Sequence, residues 1–455
     1  MAARPAIVSG ARTVSYGELL AEAGACAGWL EACLGDRRCG AVPRVGLACA
    51  NGLDYITMAL GMLRAEICLV PVPDELTPAE IEDLATRTAL HGMVRMEHGK
   101  RSWHSRQCRD ADFSEADFAA LNPAFIRFSF GTTGASKGVV LSHERLVGRI
   151  EAANEGLRIG PGDRVLWILP MAHHFAVSIV LYLYHGACTV LADSHLGEAI
   201  VETANHTQAT VVYGSPFHFA MLAADRSGFM WPSLRLAVST AAALPAATAD
   251  AFQDRLGRPL VQGLGVIEVG LPLLNLRSAT THPTALGDPL PRYEVEIRDD
   301  AGHSLGAGAV GELCVRGPGF FDAYLSPWRP CAEVCADGWF ATGDLVERDE
   351  SGRVHLRGRR KSVLNVSGMK VFPEEIERVL DAHPGVARSR AFGREHPVFG
   401  TVPVAEVVAA SATAPPTPPE LTRHCRAMLS TFKVPVKIAL VAAIDTTASG
   451  KNRRY

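Results

Sequence analysis

The chain predicts an α/β fold: a large N-terminal body of α/β sheets, a small β-barrel-like subdomain within it, and a small mobile α+β domain at the C-terminus. Three changes of pattern carry that expectation. Short apolar runs alternate with helical patterns through most of the chain, which is the rhythm of βαβ units. Near Thr284 the texture becomes alternating strands broken by Gly and Asp. After Arg359 a strand-helix-strand pattern takes over.

In order, the body reads RVGLACA, LDYITMALGMLRA and CLVPVP, then DRVLWILP, VSIVLYLYHG and CTVLA. Val211 to Tyr213, Leu236 to Val238 and Leu260 to Gln262 continue the strands, separated by Ala-, Leu- and Arg-rich helical stretches. The β-rich part runs through YEVEIRDDAGH, GELCVRGPG and GWFATGDLVERDESGRVHLRGR. The tail passes from Val363 through the helical Glu374 to Glu377 segment to a strand at Thr401 to Val408, then a Pro-rich loop from Ala414 to Pro419. Its last helix begins at Pro418-Pro419-Glu420, where proline fits the first turn and an acid suits the N-terminal dipole. The predicted domains are residues 1–358, with the β-rich subdomain at about 284–358, and residues 359–455. At 455 residues more than one domain is expected, and no internal repeat is found.

Composition narrows the function classes. With 48% hydrophobic and 20% charged residues the chain can build a core, so disorder is not the default. Lys plus Arg number 45 against 48 Asp plus Glu, which gives no electrostatic case for a nucleic-acid partner. The basic cluster of Lys100, Arg101, Arg106 and Arg109, with His98 and His104, reads as a solvated surface loop. Of the eleven cysteines the closest pair, Cys331 and Cys335, lacks CxxC spacing, so reduced cytosolic thiols are expected rather than a zinc or redox site. The start of the chain lacks a signal-peptide core, and no apolar stretch is long enough for a membrane span. A cytoplasmic location is the expectation.

The most informative segment is FSFGTTGASKG, residues 128–138, which follows the strand-like AFIRF. Backbone N–H groups of a glycine turn approach phosphate oxygens closely, Thr132 and Thr133 offer hydroxyls, Gly134 keeps the turn open, and Lys137 brings a positive charge. A Walker loop is excluded, because there Lys follows the last glycine and a helix follows the Lys, whereas here Lys137 precedes Gly138 and apolar Val139-Val140-Leu141.

This string resembles the phosphate-binding motif of the adenylate-forming ligase superfamily, which includes acyl-CoA synthetases, nonribosomal adenylation domains and luciferases. Phe130 and Ser136 depart from that family's usual Ser and Pro. Further similarities follow in the family's order. LPMAHHF, residues 169–175, resembles the acid-pocket motif, with His173 as its gate. GLGVIE, residues 263–268, resembles the segment whose glutamate, here Glu268, holds Mg²⁺ beside the phosphates, although Leu264 and Ile267 replace the commoner Tyr and Thr. GWFATGD, residues 338–344, resembles the ribose-binding strand, with Asp344 as acceptor for the ribose hydroxyls. GRRK, residues 358–361, then LNVSG, residues 364–368, resemble the domain junction: Arg359 touches ribose or phosphate, Lys361 is the hinge, and Gly368 belongs to the loop used in thiolation. TASGK, residues 447–451, resembles the motif that supplies the adenylation lysine, Lys451.

By family position Ala241, Ala242, Leu264 and Gly265 line the nucleotide, and Tyr213, Phe217 and Gly263 line the acid with His173 and His174. Ala241 stands where a Gly is usual. The resemblance implies ATP and Mg²⁺, and coenzyme A or the phosphopantetheine of an acyl carrier protein as thiol acceptor. His174 replaces the Asp that pairs with an ammonium in amino-acid-activating relatives, which disfavours an α-amino acid. PMAHH is closer to the PMAHN pattern of aryl-acid relatives, so a hydroxybenzoate-like acid is expected, with a medium-chain fatty acid as runner-up. A non-catalytic acyl-adenylate-binding homologue is the rival class, and a luciferase-type oxygenase has no residue in its favour.

Overall fold

The computed structural model describes all residues except 36–41, 75, 98, 107–111, 130–136, 193, 195, 367–368, 397–399 and 447–455. Two large sheets carry the body. One has nine strands, with a parallel run ordered Leu260–Val266, Leu236–Ser239, Val211–Gly214, Arg164–Trp167, Cys188–Leu191 and Pro5–Ser9. The other has eight strands, including Arg44–Cys49, Cys68–Pro71, Pro123–Ser129 and Lys137–Ser142.

The apolar runs are nearly continuous because these parallel strands are covered on both faces. Successive side chains divide between the faces. Val165, Trp167, Val211, Tyr213 and Val238 join a central core shared with the helices Tyr16–Leu34, Leu53–Arg64 and His143–Leu157. Leu166, Ile168, Val212 and Ala237 face a second core under the helices Gly197–His206, Pro216–Ala223 and Ala246–Leu256. The central core also takes Val45, Leu47 and Leu69 from the eight-stranded sheet, so the first three helices lie sandwiched between the two sheets.

The β-rich region forms a four-stranded antiparallel sheet in the order Glu294–Arg298, Val310–Arg316, Phe340–Arg348 and Val354–Arg359. It is not self-contained. Ala323–Leu325 leaves it to pair with Lys137–Ser142, placing Ala323 opposite Val140 and Tyr324 opposite Val139. The C-terminal domain has its own core, with Val371, Ile376, Leu380, Ala405, Val407, Leu421 and Cys425 buried. There the predicted helix starts at Pro418, and Thr417 and Glu420 form its capping box. The basic cluster, expected as a surface loop, is instead largely strand: Lys100, Arg101 and His104 lie on the edge strand Lys100–Ser105, Arg101 stacks over Trp29, and Arg106, just past the strand, pairs with Glu82, while His98 and Arg109 fall outside the described residues. No described helix is long and apolar enough to cross a membrane.

Candidate active site

Ligands of open parallel sheets bind beyond the carboxyl ends of the strands, at the point where strand order reverses. Here the reversal is at Arg164–Trp167, which has Cys188–Leu191 on one side and Val211–Gly214 on the other. The His173 segment follows that strand, and Ser215, Ala241 and Glu268 follow the ends of the next three.

Residues 130–136 join the antiparallel strands Pro123–Ser129 and Lys137–Ser142, with Ser129 opposite Lys137. A strand thus follows the glycine loop, as the exclusion of a Walker loop requires. Thr132, Thr133 and Gly134 lie outside the described residues, as do Gly368 and Lys451.

Lys137 is half-buried, with Nζ 4.3 Å from the centre of the Tyr324 ring. The Tyr324 hydroxyl donates to Glu268 Oε1 at 3.0 Å. Burial, with Glu268 beside it, pushes the phenol well above its ordinary range and keeps it a donor. Glu268 is held through its backbone as well, because its carbonyl accepts from the Phe321 N–H at 2.8 Å. Arg149 is 2% exposed and donates to the carbonyls of Ile267 at 3.0 Å and of Gly319 at 3.0 and 2.7 Å. Gly319 has φ +71°, and a Cβ there would come within 2.5 Å of the Arg149 backbone. Burial pushes both the Arg149 and the Arg127 guanidinium down to about 10, with Glu268 among the groups opposing it, so both stay charged near neutrality beside that carboxylate.

Asp344 is 1% exposed, and strand register sets it opposite Arg359, whose Nε lies 2.5 Å from Asp344 Oδ1. The turn before it is fixed by the Thr342 hydroxyl, which donates to the Leu313 carbonyl at 2.9 Å and accepts from the Asp344 N–H at 3.1 Å. Lys361 is exposed in the short turn Arg360–Ser362, where Arg360 pairs with Asp300 at 2.8 Å and with Glu312.

The residues expected to line the acid sit largely on short turns. His173 and His174 occupy the one-turn helix Met171–His174, and the Trp167 and His174 rings meet edge to face at 6.3 Å. A cleft is lined by Leu169, Pro170, His173, His174, Ser215, His218 and Ala241. A neighbouring cleft is lined by Arg127, Phe128, Ala172 and His173 among others, so His173 lines both clefts. Ala241 has φ +71°, in the left-handed region that a side chain disfavours and the family's usual glycine accepts.

Tyr213 is buried at the end of its strand, and Phe217 is 67% exposed. Gly263 is packed tightly, since a Cβ would meet Leu271, Leu274 and Val238 at 3.1–3.3 Å. Leu264 and Ala242 are half-buried and Gly265 is exposed. Sequence reasoning missed Tyr324, Arg149, Ser215 and His218. For His218 a signal existed: Ser215-Pro216 starts a helix, and the residue at its third position turns back to the cap, here with Ser215 Oγ 2.7 Å from His218 Nδ1.

Comparison with known proteins accords with this geometry. The family model described as AMP-binding enzyme matches residues 1–325, and that of the AMP-binding enzyme C-terminal domain matches residues 375–451. The chain belongs to the AMP-binding enzyme family. It is 31% identical over 340 residues to a long-chain-fatty-acid–CoA ligase of Yersinia pestis, covering 72% of this chain and 59% of the relative. It is 32% identical over 364 residues to 4-coumarate–CoA ligase 2 of Oryza sativa subsp. japonica, covering 75% and 63%. The match therefore spans about three-fifths of the length of these curated relatives. Among solved structures, ATP-bound MatB from Rhodopseudomonas palustris superposes with a TM-score of 0.85 at 25% identity, covering 99% of this chain and 94% of that one.

Proposed function

We propose that this protein is an ATP-dependent acid–thiol ligase that makes an acyl-adenylate and passes the acyl group to a pantetheine thiol, of coenzyme A or of a carrier protein. The observation that carries the reading is the chain of contacts Lys137–Tyr324–Glu268, which starts on the strand that follows the glycine loop, together with His173, which lines both the cleft beside Arg127 and Phe128 and the histidine-lined cleft. Such an arrangement suits a polyphosphate on one side and a carboxylate on the other. The CoA-ligase names of the relatives support it.

In the first step a carboxylate oxygen attacks the α-phosphorus, the bond to the β-phosphate bridging oxygen breaks, and pyrophosphate leaves. Lys137 neutralises phosphate charge, and Lys451, outside the described residues, is assigned to the charge that develops on the phosphoryl and leaving oxygens. Asp344 and Arg359 hold the ribose side. Glu268 is the oxygen ligand available to Mg²⁺, and a single carboxylate suits an ion carried in on the phosphates. When bound, Mg²⁺ would supply charge neutralisation at those phosphates. No cluster of three or more His, Cys, Asp or Glu side chains suited to an independent metal site occurs among the described residues.

In the second step the thiol sulfur attacks the acyl carbon and AMP leaves. Residues 359–455 are assigned to a mobile domain that turns about Lys361, exchanging Lys451 for the Gly368 loop between steps. ATP-dependent chemistry of this kind fits a cytoplasmic location.

The acid is proposed to be a hydroxybenzoate-like aryl acid. The His174, His218 and Ser215 side chains that line the cleft match a ring that carries a polar group better than a long alkyl chain. Hydroxylamine trapping across benzoates, cinnamates and fatty acids, followed by transfer to coenzyme A, tests both parts. Hydroxamate from hydroxybenzoates is expected; none from any acid overturns the ligase reading, and a preference for fatty acids overturns the aryl one. Lys451→Ala is expected to abolish pyrophosphate exchange while leaving consumption of supplied acyl-adenylate, and exchange at the normal rate would remove Lys451 from the first step.

A further inference from the structure

Cys331 and Cys335, free thiols as the sequence reading expects, have their sulfurs only 3.2 Å apart. They occupy one helical turn, Cys331–Val334, closed by the Cys335 N–H donating to the Cys331 carbonyl at 2.8 Å. Spacing of four residues on such a turn sets the Cα atoms about 6 Å apart, inside the range a disulfide spans. Both thiols are half-buried, so a small oxidant reaches them. No other cysteine pair among the described residues has its sulfurs in hydrogen-bond contact.

The position of the pair matters more than its spacing. The Cys331 N–H donates to the Asp322 carbonyl at 2.7 Å. Asp322 in turn holds the strand Lys137–Ser142: its carboxylate accepts from the Ser142 N–H at 2.6 Å, and its N–H donates to the Val140 carbonyl at 2.9 Å. Two residues on, Tyr324 touches Lys137 and Glu268. On the other side, Cys335 leads through the tight Ala336–Trp339 turn into the strand that carries Asp344. One turn of chain thus joins the phosphate side to the ribose side.

We infer that Cys331 and Cys335 form a redox-sensitive dithiol, whose closure to a disulfide by a peroxide or a small disulfide oxidant shifts this turn and weakens nucleotide binding at the site beside it. With hydrogen peroxide the Cys335 thiolate attacks one oxygen and the O–O bond breaks. A sulfenic acid and hydroxide result, and the latter takes the proton released from the thiol. The Cys331 thiol then displaces water from the sulfenic sulfur. Two thiols are oxidised by two electrons, and one peroxide is reduced to two waters. Cys335 is the first nucleophile because a hydrogen bond from Cys331 holds its thiol below the ordinary range, with Arg145 adding to the effect against burial. A ring this short adds little as a staple, which suits a reversible device.

The geometry holds whether or not the ligase reading does, so the test keeps chemistry and binding apart. The full chain is treated with hydrogen peroxide, mapped by mass spectrometry, and assayed for Mg·ATP protection against thermal unfolding and for pyrophosphate exchange, before and after dithiothreitol. The expected result is a Cys331–Cys335 crosslinked peptide and a weakening of ATP protection and exchange by about fivefold or more, reversed by the reductant. Cys331→Ser and Cys335→Ala should lose the response while keeping the reduced protein's activity. Oxidation of other cysteines without this crosslink overturns the inference, and so does a crosslink that leaves ATP protection unchanged. Absence of exchange in the reduced protein sinks the ligase reading alone, because ATP protection still reports on the dithiol.

Discussion

The proposed nucleotide side and the proposed acid side of the site are built by different means. Asp344 and Glu268 sit on long strands, or directly after one, and are fixed by ladder register and by buried partners such as Arg149, Thr342 and Tyr324. His173, His174, His218 and Ala241 sit on one-turn helices, at a helix start and at a left-handed turn. Long-range register resists substitution around it. Short turns exchange residues without disturbing a sheet, so the proposed nucleotide side suits a common chemistry and the proposed acid side suits a particular substrate.

Substitutions that act on one side alone break or sharpen this contrast. Asp344→Asn keeps the shape of the buried side chain and removes the charge facing Arg359. It is expected to raise the KM for ATP by roughly 30-fold or more, leaving that for the acid unmoved; an equal rise in both would mean the two sides are one unit. Tyr324→Phe keeps the ring over Lys137 and deletes the hydrogen bond to a carboxylate, worth about 1.5–3 kcal/mol. Pyrophosphate exchange should fall roughly tenfold and need more Mg²⁺, and an unchanged Mg²⁺ titration would leave Tyr324 as packing. His218→Ala should raise the KM for ring-hydroxylated acids about fivefold, with ATP and unsubstituted benzoate unaffected; uniform loss across acids would assign His218 to the fold. Ala241→Gly relieves a left-handed alanine at about 1–2 kcal/mol, against about 0.4–1 kcal/mol of added freedom in the unfolded chain. A gain of up to about 1 kcal/mol in urea denaturation, with a broader acid profile, is the smallest effect expected.

The sheets were legible because strands covered on both faces leave unbroken apolar runs, as at Leu236–Ser239, and the last helix because Pro418-Pro419-Glu420 marks its start. Asp344 and Glu268 were legible through motif strings. Tyr324 was not: its strand leaves the local hairpins to join one 185 residues earlier, with Tyr324 opposite Val139, and nothing near it in the chain announces that partner. Arg149 reads as an ordinary polar position of an exposed helix face, and only the close approach of Gly319 makes it a buried donor. Cys331 and Cys335 were dismissed by a rule about spacing, whereas one helical turn brings their sulfurs together.

Ala323–Leu325 has a further consequence. By pairing with Lys137–Ser142 it shields the raw hydrogen-bonding margin of the eight-stranded sheet, and Trp328–Pro330, three residues long and ending in proline, becomes the new border. Short, proline-bearing borders discourage neighbouring molecules from adding strands. A fragment cut before residue 323 would bare Val139 and Val140 along an open margin, and self-association rather than simple loss of catalysis should be its first symptom.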